Sequence, residues 1–333
     1  MGAPMKRKIL ACIVALGLAP GTFVRSEPAP RDYTSPVSIA PLETGEASSG
    51  PLVLEGAWVL ESKNHYFGGY SALIALYEDE FLAASDNGRL MFLPRPDRSD
   101  EEPVLDAFLN FARVDKSHVD IESLTFDPDT GEVWAGLEWA QEIIRFGPRL
   151  QKRDAVRPVE MEEWGGNSGP ESLARLDDGS FVVIEERAMD DGLHDALLFF
   201  EDPTLGNPPL RFVFQGRAGY QPSDATVLPD GRLLVLLRGL RLGLPPRFPT
   251  MLVIADPAAI KEGEVLPTRV LARIEEPFPT ENYEGVAVTD EGAGKWTVWL
   301  ISDDNFASYQ RTILLKLGWD RSESRQARQK ARR

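Results

Sequence analysis

The chain has 333 residues, 43% of them hydrophobic, and a formal net charge of −16 from 52 acidic and 36 basic side chains. Four of the bases lie in residues 1–26 and six in residues 321–333, against a single acid there, so the stretch between carries a net charge near −25. A body this acidic repels nucleic acid and anionic lipid, which excludes both as partners and favours a small molecule or a cation.

The first segment, residues 1–26, has the form of an export signal. Lys6-Arg7-Lys8 is a basic start and Ile9 to Leu18 an apolar run too short to span a bilayer. A secreted or periplasmic mature protein without a membrane span is expected. The sole cysteine, Cys12, lies inside that run, so the mature chain would hold no disulfide. Residues 27–51 are rich in Pro, Ser, Gly and Glu without periodicity, and a disordered lead-in is expected there. Residues 52–318 carry the strand signals, and residues 319–333 read as a basic, frayed tail.

Within 52–318 one pattern recurs: a short polar or acidic motif, an apolar run, a tight turn, a second apolar run and a charged residue. Taking Ser71, Glu122, Glu171, Ser223 and Glu284 as equivalent, the steps are 51, 49, 52 and 61 residues. A strand repeat of this length belongs to β-propellers. Asp177-Asp178-Gly179 and Pro229-Asp230-Gly231 stand between apolar runs, the strongest short hairpin signal. The outer strands are expected at Ala107–Val114, near Val156–Met161, at Leu210–Phe214 and at Val265–Ile274. The last repeat supplies three strands only, and the unassigned run Leu52–Leu60 would complete it and close the ring. The fold class is therefore all-β: a single, monomeric propeller of five four-stranded blades, six being the alternative count.

A propeller gathers equivalent points of its blades around one axis. Inner-strand starts would bring Ser71, Glu122, Glu171, Ser223, Asp224 and Glu284 to one face. The ends of their hairpin partners would add Ser85, Asp86, Glu138, Glu185, Glu186, Arg238, Ser302, Asp303 and Asp304. Clustered carboxylates repel one another unless a charge offsets them, and an all-oxygen set suits a hard cation, Ca2+ above all. The expected metal set is Asp86, Glu122, Glu171, Glu284, Asp303 and Asp304. Glu122, Glu171 and Glu284 are the candidates for catalysis, and Ser71, Arg238 and Arg311 for substrate contact. Any one of these acids has an equal claim to capping strand-end amides or pairing with arginine.

Other chemistries lack their motifs. There is no Gly-x-Ser-x-Gly elbow, no phosphate-binding Gly-x-x-x-x-Gly-Lys and no His-Glu-x-x-His. His65, His118 and His194 are the only histidines, and surface positions are expected for them. Trp134, Trp139, Trp296 and Trp299 fall on strand signals and are expected to pack between blades.

Several motifs carry a resemblance. Gly68-Gly69-Tyr70-Ser71 with Ser85-Asp86, Glu171-Ser172-Leu173 with Glu185-Glu186, and Glu281-Asn282-Tyr283-Glu284-Gly285-Val286 with Ser302-Asp303-Asp304-Asn305-Phe306 resemble the bacterial phytase-like family, labelled "esterase-like activity of phytase". The likeness extends from about Leu52 to Leu317. It implies an exported hydrolase of phosphomonoesters or simple esters, with carboxylate-held Ca2+ as cofactor and a small-molecule substrate. Ala72 stands where the family has glycine, and Arg238 where other blades place an acid. Two further readings stay open. One is a regucalcin-like lactonase using Glu284 or Glu171 with Asn167 or Asn305. The other is a periplasmic binding or scaffold propeller whose acids are structural.

Overall fold

Apolar alternation places the expected runs in antiparallel sheets. In the computed structural model, which describes residues 30–321 apart from 78, 108–119, 166–167 and 244, there are five sheets. Blade 1 is built from Tyr70–Leu76, Glu80–Ser85, Arg89–Pro94 and Val104–Ala107, and blade 2 from Ile121–Asp127, Glu132–Leu137, Glu142–Phe146 and Lys152–Val156. Blade 3 holds Pro170–Arg175, Phe181–Asp190, Leu193–Phe199 and Leu210–Gln215. Blade 4 holds Tyr220–Val227, Leu233–Gly239, Thr250–Ala255 and Arg269–Ile274. Blade 5 starts with Asn282–Asp290, Lys295–Asp303 and Thr312–Asp320, and Leu52–Glu61 pairs with Thr312–Asp320 as its fourth strand. The N-terminal strand thus closes a five-bladed propeller.

The hairpin turns follow from their residues. Gly179 and Gly231 sit at φ of 86° and 81°, a conformation that side chains other than glycine rarely adopt. Among the described residues the only helical segments are the 3-10 turns Val159–Met161, Pro203–Leu205 and Pro257–Ala259, and no helix is long and apolar enough to cross a membrane.

Each blade interface has its own apolar cluster. Ile121, Leu124 and Ala135 meet Ala72 and Leu82 between blades 1 and 2. Trp134 meets Phe181 between blades 2 and 3, and Ile184 meets Val235 between blades 3 and 4. Leu236 and Val298 pack between blades 4 and 5, and Trp299 with Phe81 between blades 5 and 1. Leu52 and Leu60 of the closing strand are fully buried, each contributing about 2 kcal/mol. Gly285 permits a close approach at this closure. A Cβ there would lie 2.9 Å from the Leu73 nitrogen.

Several expectations need correction. The lead-in is ordered in part: Ser38–Pro41 pairs with Leu52–Glu61 as an outermost strand, and Val37 and Ala47 are buried beside it. An edge strand that buries little needs no apolar alternation and tolerates its terminal proline. The domain runs to Asp320, because Trp319 is buried against Trp296. The run Val265–Ile274 divides at Pro267: Val265–Leu266 pairs in parallel with blade 3, and only Arg269–Ile274 belongs to blade 4. The outer strand of blade 1 begins earlier than expected, at Val104, and is described as far as Ala107; blade 2 ends with Lys152–Val156, earlier than expected. Residues 1–29, the rest of the Ala107–Val114 run, His118, Asn167 and the tail from 322 lie outside the described residues.

Candidate active site at the channel mouth

The recurring motif encodes a β-bulge. In blade 1 Tyr70 faces Ser85 and Ala72 faces Ala84, so Ser71 is the extra residue. The same shift isolates Glu122 in blade 2, Glu171 in blade 3, Ser223 in blade 4 and Glu284 in blade 5. A bulged residue leaves the ladder and its side chain is re-aimed. The partner strands put a second set level with it: Asp86, Glu138, Glu186, Arg238 and Asp303, each following the residue opposite the bulge.

Between blades 2 and 3 these positions meet. Asp120, Glu122 and Glu138 can offer carboxylate oxygens within 4.8 Å of one another, and so can Glu138, Glu171 and Glu186. Glu138 is common to both groups. Burial pushes the Glu122 carboxyl well above its ordinary range, and the neighbouring Glu171 and Asp120 add to it. Burial does the same to Glu171, with Glu186 and Glu138 next in effect.

The side formed by blades 4 and 5 is neutralised. The Arg238 guanidinium donates to Glu284 Oε1 at 2.7 Å and to Glu186 Oε1 at 3.0 Å, and these acids, Glu284 first, push its basicity up. Asn282 Nδ2 donates to Glu284 at 2.7 Å and lies 3.4 Å from Asp303 Oδ2. Asn282 Oδ1 is buried without a hydrogen-bond partner. Burial, followed by the Glu284 charge, pushes Asp303 up to about 9.

The sequence-derived candidates therefore separate. Glu122 and Glu171 join the carboxylate groups, with Asp120, Glu138 and Glu186 in place of the expected Asp86, Asp303 and Asp304. Glu284 is held by Arg238 and Asn282 instead. Asp304 organises its own loop, accepting from Gly69 N and Phe306 N at 3.1 and 3.0 Å. Asp86 N donates to Gly69 O on the blade 1 side, where its carboxylate adds to the charge near Asp303. Ser71 is buried and its hydroxyl donates to Ile121 O, a tie between blades 1 and 2. Arg311 stands on the rim, paired with Glu281 at 2.9 Å. Ser71 is engaged inside the protein, and Arg238 is committed to Glu284 and Glu186.

Asp224 also leaves the expected site. Its buried carboxylate accepts from Ala225 N and Val286 N at 2.8 Å and lies 3.4 Å from Leu73 N, joining blades 4, 5 and 1 below the mouth. His194 is fully buried, with Nδ1 3.2 Å from Glu185 O, and burial lowers its pKa to about 4. Trp134, Trp296 and Trp299 pack between blades as expected, but Trp139 is 48% exposed on the rim. Asp120 and Asn282 were not among the expected residues. Both stand two positions before a bulge, in Asp120-Ile121-Glu122 and Asn282-Tyr283-Glu284, so repeat phase alone marks them.

The solved structure of Kuenenia stuttgartiensis hydrazine synthase aligns at 14% identity and a TM-score of 0.38, over 72% of this chain and 57% of that one. This chain therefore spans little more than half of that protein's length. A chain of a nidogen/laminin complex aligns at 8% identity and a TM-score of 0.41, covering 80% of this chain and 88% of that one. No curated protein matches. The phytase-like family model, described as "Esterase-like activity of phytase", matches residues 65–306, and the chain belongs to that family.

Proposed function

We propose that this protein hydrolyses a phosphoester or carboxylic ester with the help of a divalent cation held between blades 2 and 3. The observation that carries the reading is the meeting of Asp120, Glu122, Glu138, Glu171 and Glu186 in two overlapping groups. An all-oxygen donor set of this kind fits Ca2+. A cation's charge would also offset the burial and repulsion that push the Glu122 and Glu171 carboxyls up. When bound, such a cation polarises the scissile group and makes a bound water more acidic.

The chain's own residues divide the proton transfers. Asp303, with its carboxyl up to about 9, holds a proton at neutral pH and is suited to give it to the departing oxygen. Glu284, oriented by Arg238 and Asn282, is placed to take the proton of the attacking water. Water adds to the carbonyl carbon or phosphorus, the bond to the leaving oxygen breaks, and an acid and an alcohol result. The basic start and apolar run of residues 6–18 support an exported protein.

A second reading, lactone hydrolysis, draws on one observation. Asn282, Glu284 and Asp303 form an Asn-Glu-Asp trio whose amide oxygen has no partner. Turnover of p-nitrophenyl phosphate, p-nitrophenyl acetate and a set of lactones, with chelator and with added cation, separates the readings. Cation-dependent turnover of either p-nitrophenyl substrate, lost in Glu122→Gln, is expected. Turnover of lactones alone would favour the second reading, and no cation-dependent turnover of any substrate would remove both.

A further inference from the structure

At the loops of blades 4 and 5 the same face opens into a cavity of about 410 Å3. One wall is the connection between the second and third strands of blade 4, which leaves the site two residues after Arg238 and returns through Pro245, Pro246, Phe248 and Pro249. The other wall is the link into blade 5, which ends at Glu281, next to Asn282, together with Tyr309 and Gln310. The cavity is thus walled by the segments that follow Arg238 and precede Asn282, the two residues that hold Glu284.

Its walls have a definite chemistry. Three prolines and Phe248 present rings, and a proline has no N–H that must be hydrated. The backbones of Arg241 and Arg247 hydrogen-bond reciprocally at 2.8 and 3.0 Å, which clamps the base of the connection. Gln310 Nε2 is buried without a hydrogen-bond partner, a donor that a ligand acceptor could satisfy. A buried donor left unpaired is unfavourable, so an occupant that accepts from it is selected over one that cannot. Glu275, Glu276 and Glu281 line the cavity together with Arg241 and Arg247, a lining that is net acidic by one charge and that, with the acidic body, disfavours a polyanion. Large apolar side chains also stand in solvent around this face: Leu240 is 58% exposed, Leu242 91% and Tyr309 64%.

We propose that this cavity receives the uncharged, ring-sized part of the substrate, with a carbonyl or ether oxygen accepting from Gln310, which makes the substrates hydrophobic esters. The volume suits one aromatic group and falls within the range of small-molecule pockets. The inference rests on the hydrolase reading for turnover but not for binding.

Two measurements keep the two apart. Fluorescence titration of the chelated protein with 1-naphthol should show saturable binding that 1 mM inositol hexakisphosphate does not displace (about 1 mM being ample for a polyanion competitor by ordinary affinities). Phe248→Ala and, independently, Gln310→Leu should each weaken binding by about fivefold to tenfold. With 1-naphthyl acetate and cation, both variants should raise KM more than they lower kcat. Naphthol binding without any hydrolysis would support the cavity and overturn the hydrolase reading. Hydrolysis without naphthol binding, or with unchanged affinity in both variants, would overturn the cavity assignment alone.

Discussion

Blades 2 and 3 and blades 4 and 5 place residues at the same points of the same bulged hairpin, yet their chemistry differs. In the first pair the bulge and its neighbour are all carboxylates: Glu122 and Glu138, then Glu171 and Glu186. In the second, Ser223 and Arg238 from blade 4 meet Glu284 and Asp303 from blade 5, and Arg238 ties Glu284 to Glu186. The backbone repeat decides where a side chain arrives, and serine and arginine in blade 4, where blades 2 and 3 carry acids, change the charge of that region. One half of the mouth carries its counter-charge in the chain, and the proposed cation would supply it to the other.

The largest effect expected from this contrast is on pH. Burial holds a proton on Asp303 in the folded protein up to about pH 9, whereas the unfolded chain releases it near 3.8. Between those values the native state binds the extra proton, so stability falls as pH rises. The Asp303 contribution is isolated by comparing wild type with Asp303→Asn: between pH 5 and pH 8 the chelated wild type should lose up to about 4 kcal/mol more stability than the variant. An equal pH dependence of the two proteins would show that Asp303 is ionised in the folded state. A smaller effect is expected from Arg238→Gln. It leaves Glu186 and Glu284, each side chain 12% exposed, without their cation. Because Arg238 keeps some contact with water, the loss should be about 2–3 kcal/mol in denaturant unfolding, somewhat below that for a fully buried pair. If the variant lost nothing, the two halves of the mouth would not differ as described.

Much of this architecture was legible in the sequence. The equivalence of Ser71, Glu122, Glu171, Ser223 and Glu284 holds down to the bulge, because the extra residue shifts the apolar alternation at the same point of every repeat. Leu52–Glu61 was legible as the closing strand because its apolar residues lacked partners in any other repeat. Ser38–Pro41 was not, since it lies on the outer edge and buries too little to show a period. In the site, repeat phase marks which residues reach the mouth but not which of them touch. Asp303 and Glu171 share the mouth, and only the latter falls in a carboxylate group, because the pairing across blades depends on side-chain reach. The engagement of Arg238 was hidden for the same reason: its partners lie 46 and 52 residues away in sequence, on the blades to either side.

The central claim is that blades 2 and 3 hold the cation and that Glu138, common to both carboxylate groups, is its shared ligand. The direct measurement is a Ca2+ titration of the chelated protein at pH 8, followed by thermal melting, for the wild type, Glu138→Gln and Asp303→Asn. A ligand bound by the native state alone raises the melting temperature by mass action. The rise should appear in the wild type, persist in Asp303→Asn and vanish in Glu138→Gln. An equal rise in Glu138→Gln, or none in the wild type, would contradict the account.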